Sequence, residues 1–117
     1  MGAPHVELLW WDGCASWRRA REELRQAMEE AGLDPDALEL REVDTESAAE
    51  RHGFVGSPTI RIAGADVQPP ETPEPAGLTC RVYRRRDGRL WPTPDPEDLL
   101  DALRLATGAA EPPSRGP

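Results

Sequence analysis

The chain contains no lysine. All 14 of its positive charges are arginine, set against 22 aspartates and glutamates, for a net charge of −8. So large an acidic excess argues against nucleic acid and anionic membranes as partners, because both would repel it. The missing lysine, with abundant alanine, glycine and proline, reads as GC-rich coding rather than as a designed surface. No apolar run reaches membrane-spanning length, and Met1-Gly2-Ala3-Pro4 has no basic region leading into an apolar stretch. Neither a span nor a signal peptide is therefore expected, and the expected location is cytoplasmic. Cysteine and histidine are scarce, at two each, and there is no CxxC pair. A zinc site of four protein ligands would need Cys14, Cys80, His5 and His52 together, at spacings of no common pattern, so no metal and no other cofactor is expected. In a reducing compartment two cysteines do not make a default structural disulfide, but thiol chemistry stays open.

What is present fits one domain. The chain has 117 residues, enough for a real core, with no internal repeat. Val6 to Trp11 is a short, mostly apolar run suited to a buried strand. Asp12-Gly13 breaks it. Trp17, Ala20, Leu24, Ala27, Met28 and Ala31 then recur at helical spacing, which predicts a helix from about Cys14 to Ala31 with Gly32 as its stop. Leu38 to Val43 reads as a half-exposed strand. Glu46 to His52 reads as a short helix capped by Asp44 or Thr45 and ended by Gly53. Thr59-Ile60-Arg61-Ile62 alternates as a third strand, directly after Gly56-Ser57-Pro58.

From Gly64 to Gly77 four prolines exclude a central strand or helix and predict a long loop. Cys80 to Arg84 reads as a strand, Asp87-Gly88 as a two-residue hairpin turn, and Arg89 to Trp91 as the return strand, an edge. Asp95 can cap a last helix whose apolar side is Leu99, Leu100, Leu103 and Leu105. The expected domain covers 1–107, and 108–117, with three prolines, is expected to be a disordered tail. The acidic surface points to a monomer.

Strand, helix with a cysteine at its start, strand, helix, X-Pro strand, hairpin, C-terminal helix is an order that resembles the thioredoxin-like superfamily. The resemblance is carried by the Trp-rich strand ending in Asp12-Gly13-Cys14 and by Gly56-Ser57-Pro58-Thr59-Ile60, and it covers roughly His5 to Leu105. It is closest to small bacterial thioredoxin-like proteins, some of which carry an alkylmercury lyase label. It implies an α/β fold with a central mixed sheet of four to five strands flanked by about three helices, and a cis Ser57–Pro58 bond beside the active cysteine. One departure is decisive for the chemistry. The window Cys14-Ala15-Ser16-Trp17 puts Trp17 where oxidoreductases of the fold carry a second cysteine, so no disulfide can form inside this CxxW motif. Trp17 also stands where the mercury lyases carry an aspartate, which leaves Asp12 as the nearest acid.

Cys14 is the expected catalytic thiol. A helix N-terminus would stabilise its thiolate below the free value of about 8.5, with Arg18 and Arg19 helping and Asp12 opposing. Cys80, 66 residues on, is either a resolving thiol or a core cysteine alternating with Leu78 and Val82. In a minimal version of the fold it would start the hairpin at the wrong end of the sheet, unless the proline-rich loop carries Gly77 to Cys80 back. Pro58 is expected to shape the site and Ser16, Trp17 and Thr59 to line it. The backbones of Ser57 and Thr59 are expected to pair with an extended substrate. Of the tryptophans, Trp10 or Trp11 and one other are expected in the core, His5 and His52 at the surface, and Arg84-Arg85-Arg86 solvated at a hairpin tip. The expected function is thiol–disulfide exchange with a thiol- or disulfide-bearing protein or a small thiol. The alternatives are a non-catalytic binding or accessory module, and a soft-metal or organomercurial binder.

Overall fold

In a computed structural model, which describes residues 3–108, the first strand is β1 (Val6–Trp10). Its apolar run is almost continuous because both of its faces are covered. Val6 and Leu8 face a cluster with Ile60, Ile62, Leu24, Met28, Leu99 and Leu103, while Leu9 faces the opposite cluster with Val43, Ala48, Ala49 and Phe54. The remaining elements are α1 (Trp17–Glu30), β2 (Glu39–Glu42), α2 (Glu46–His52), β3 (Thr59–Ile62), β4 (Ala65–Asp66), β5 (Tyr83–Arg84), β6 (Leu90–Trp91) and α3 (Pro96–Thr107). A 3₁₀ turn, Pro35–Ala37, precedes β2.

Among the described residues the fold is α/β, with three α-helices and a mixed four-stranded sheet in the order β2-β1-β3-β4. β1 runs parallel to β2 and antiparallel to β3. The helices α1 and α3 supply the buried residues of one face and α2 those of the other. Helix ends follow their local chemistry. The Thr45 hydroxyl accepts the Ala48 amide at 3.0 Å, Asp95 accepts the Glu97 amide at 3.0 Å, and Gly53 and Gly108 close their helices with left-handed backbone.

Several expectations need correcting. The helix after β1 starts at Trp17, the first residue of the apolar period and three residues later than expected, because Asp12 to Ser16 form turns first. The predicted loop contains β4, joined to β3 by Ala63-Gly64, both at positive φ (54° and 83°), as a two-residue hairpin of primed type requires. The strand predicted from Cys80 begins only at Tyr83. Its hairpin turns through three residues, with Gly88 at φ 91° and the Arg85 amide on the Arg89 carbonyl. That hairpin is a separate two-stranded sheet rather than an edge of the main one. Arg84 and Arg86 are exposed, as expected of the run, but Arg86 is also paired. It bridges Glu97, Asp98 and Asp101, tying the hairpin to α3. Leu105 is 64% exposed and lies off the apolar side of α3, whereas Leu99 and Leu103 are fully buried. The expected tail beyond Gly108 lies outside the described residues. None of the described helices is long and apolar enough to cross a membrane.

Candidate functional site

The chain leaves β1 through a tight turn in which the Cys14 amide donates to the Trp11 carbonyl at 3.1 Å. A Cβ on Gly13 would lie 2.4 Å from the Trp11 ring, so the ring rests against this glycine and would have to move for any other residue. Cys14 is 7% exposed, two residues before Ser16, the N-cap of α1. It therefore precedes the helix rather than opening it. Ser16 makes no side-chain cap; its hydroxyl lies 3.4 Å from the Cys14 Sγ. Trp17 is buried and stacks on Trp10 with ring centroids 4.0 Å apart, and Arg18 and Arg21 cover its ring. Trp17 thus closes the core beneath the turn instead of lining an open site, while Trp10 and Trp11 are half-buried and Trp91 is exposed.

The second wall is the Gly56–Thr59 segment. The Ser57–Pro58 peptide is cis. The Ser57 hydroxyl accepts the Trp11 amide at 3.0 Å, which fixes this segment against the Cys14 turn. Gly56 has φ 142°, and a Cβ on it would lie 2.8 Å from the Arg81 Cβ, so glycine is what lets residues 79–81 approach. Ser57, Pro58 and Thr59 are all buried. The Thr59 hydroxyl is fully engaged, donating to the Gly56 carbonyl at 2.6 Å and accepting from Arg81 at 3.1 Å.

The proline-rich loop brings in the third wall. The Gly77 amide donates to the Phe54 carbonyl, the Ser57 amide to the Thr79 carbonyl at 2.8 Å, and the Arg81 amide to the Ser57 carbonyl at 3.0 Å. Thr79-Cys80-Arg81 thus lies as an extended parallel strand-like pair on Ser57. The backbone edge expected to receive an extended substrate is held by the chain itself. Cys80 is exposed, not a core cysteine, and Val82 beside it is 61% exposed. Its Cα stands 5.6 Å from that of Cys14, and the two form a disulfide, well within the separation such a bond requires.

Residues that the sequence did not mark hold Cys80 in place. Arg81 donates to Asp66 at 2.8 Å and to the Gln68 carbonyl at 2.7 Å, with side chains only 10% and 17% exposed in the ion pair, and its guanidinium lies over the Tyr83 ring. The buried Tyr83 hydroxyl donates to the Pro58 carbonyl, and burial raises its pKa above the ordinary phenol value. The Gln68 amide accepts from and donates to the backbone of Arg84. Nothing local in Arg81, Asp66, Gln68 or Tyr83 announces these roles, since the hydrogen bonds that fix them span 13 to 25 residues.

Away from this site, His5, Glu7 and Glu39 offer ligand atoms within 4.8 Å of one another. The imidazole is already bonded to Glu39, at 2.5 Å, and its hydrogen bond, with Arg41 nearby, holds the Glu39 carboxyl below its usual range. His5 is exposed and His52 half-buried. No known protein-family model, curated protein or solved structure matches the chain.

Proposed function

We propose that the chain is a thioredoxin-like thiol–disulfide redox protein whose active pair is Cys14 and Cys80. The observation that carries this reading is the disulfide between the turn after β1 and the segment laid along Ser57, beside the cis Ser57–Pro58 peptide. The CxxW motif lacks its own second thiol, and the loop supplies one from 66 residues away. The order β1-α1-β2-α2-β3, with β1 central between a parallel and an antiparallel neighbour, agrees with the thioredoxin-like order.

The pair suits reversible exchange because the disulfide is not the sole anchor of Cys80. The bonds from Ser57 to Thr79 and Arg81, and the Arg81–Asp66 pair, anchor it on both sides. After reduction both thiols therefore stay close, and re-forming the bond remains an intramolecular step with a high effective concentration. In one cycle a substrate dithiol loses two electrons and two protons to become a disulfide, and Cys14–Cys80 takes them up as two thiols.

One observation favours a second reading, a purely structural staple. Among the described residues from 64 to 92, Tyr83 alone is buried, so this region lacks an apolar core of its own. Mixing the oxidised protein with a small thiol such as glutathione separates the two. A redox pair oxidises two thiols per protein, and Cys14→Ser or Cys80→Ser abolishes the transfer. A staple leaves the thiol reduced and its own bond intact.

A further inference from the structure

The two sulfurs of the pair are not equivalent. Cys14 is buried beneath the turn after β1, whereas Cys80 is exposed and lines an open cleft of about 760 Å³ between the proline-rich loop and the arginine run. That volume lies in the range of small-molecule sites, roughly 300–1,000 Å³. Arg81 and the Arg84–Arg86 run line the cleft with Glu71, Glu74 and Asp98; Arg81 and Arg86 are paired with acids, whereas Arg84 and Arg85 donate to the uncharged Gly88 carbonyl and Thr93 hydroxyl. These last two guanidinium groups favour the approach of an anionic nucleophile, and the thiolate is the form that attacks a disulfide. An extended polypeptide cannot pair with Ser57 as an added strand, because Thr79 and Arg81 already occupy both of its backbone groups.

Resting on the redox reading above, we propose that Cys80 is the residue that exchanges with the outside, that its partner is a low-molecular-weight thiol entering from the cleft, and that Cys14 is the leaving and resolving sulfur. The incoming thiolate attacks the Cys80 Sγ. A bond forms between the two sulfurs as the Cys14–Cys80 bond breaks, and the electron pair leaves on Cys14, which faces the Ser16 hydroxyl. A second thiolate then attacks the sulfur of the first, releasing the small disulfide and Cys80 as a thiolate. Two small thiols have lost two electrons and two protons, and the protein dithiol has gained them. This assigns to the loop cysteine the exchange with the outside that the sequence assigned to Cys14.

The test mixes oxidised wild-type protein with a limiting amount of reduced glutathione, quenches in acid and maps the adduct by mass spectrometry. The expected product carries glutathione on Cys80 with Cys14 free. An adduct on Cys14 with Cys80 free overturns the inference and leaves the redox reading standing. No adduct and no loss of the protein disulfide, even in excess glutathione, overturns both. Single-cysteine variants check the same point without turnover: glutathione disulfide is expected to cap Cys80 in the Cys14→Ser protein several-fold faster than Cys14 in the Cys80→Ser protein. Equal or reversed rates contradict the assignment. So does an extended one-cysteine peptide that exchanges with the oxidised wild type faster than glutathione does.

Discussion

Two regions of this molecule are held together by different physics. The first, from β1 to β3, buries Val6, Leu8, Leu9, Leu24, Met28, Val43, Phe54, Ile60 and Ile62 on two sides of one sheet. The second, from the end of β4 to β6, leaves Val82 and Leu90 exposed and buries Tyr83. It is kept in place by one disulfide, the Arg81–Asp66 pair, the Gln68 amide, the Tyr83 hydroxyl and the Arg86 bridge to α3. Apolar burial is non-directional and adds up over area, so the first region tolerates little loss anywhere in its core. Specific polar and covalent contacts act one at a time, so the second region is expected to loosen locally. The candidate site sits on the seam, with one sulfur from each region.

The largest loss of stability is expected in the first region. Phe54→Ala, at a fully buried position against Leu9 and Val43, is expected to lower global stability by about 3–5 kcal/mol, read from chemical denaturation. Reduction of the disulfide, or Cys80→Ser, is expected to remove about 2–4 kcal/mol. Here the location of the effect matters more than its size: amide exchange should rise across residues 69–82 while β1 and β3 keep their protection. Equal loss of protection in both regions would mean that the distinction is wrong. Tyr83→Phe removes the donor to the buried Pro58 carbonyl and is expected to cost about 1–3 kcal/mol, leaving an acceptor unsatisfied.

The smallest effect lies at the surface. Arg86→Ala breaks three exposed ion pairs, which solvent screens, so the denaturation midpoint is expected to move least of all the variants. Its pH counterpart is Asp95, whose carboxylate accepts the amides of Arg86 and Glu97, the former first, and is thereby held below the usual aspartate range. A carboxyl lowered in the folded state stabilises fully above its unfolded value of about 3.9, and that stability is lost as pH falls through the lower folded value. Release of the hairpin from α3 is therefore expected only below about pH 4 in an acid titration followed by NMR, and Asp95→Asn should flatten that step.

The same contrast explains what was legible from the residues alone. In the first region each element carries its own period: the near-continuous apolar run of β1, the three-and-four spacing from Trp17 to Met28, and the alternation of Thr59 to Ile62. Local chemistry also marks Thr45, Gly53 and Asp95 as helix ends. In the second region position depends on partners distant in sequence. Ala65–Asp66 is too short and polar to show a strand period, and the landing of Cys80 on Ser57 depends on a loop without periodicity. The arginine run reads as solvated because its acids lie a helix away. At the site itself Cys14 and the cis Ser57–Pro58 peptide were legible. The exposure of Cys80, the loss of the Ser57 edge to Thr79 and Arg81, and the start of α1 after Cys14 were not.

The central claim is that one sulfur from each region forms a working redox pair. Equilibrating the protein across a series of thiol–disulfide buffers, quenching in acid and weighing the alkylated products tests it most directly. The expected result is one two-electron transition in which Cys14 and Cys80 become an internal disulfide together. Two thiols that stay reduced throughout, or that are capped independently by the buffer thiol without ever joining, would contradict it.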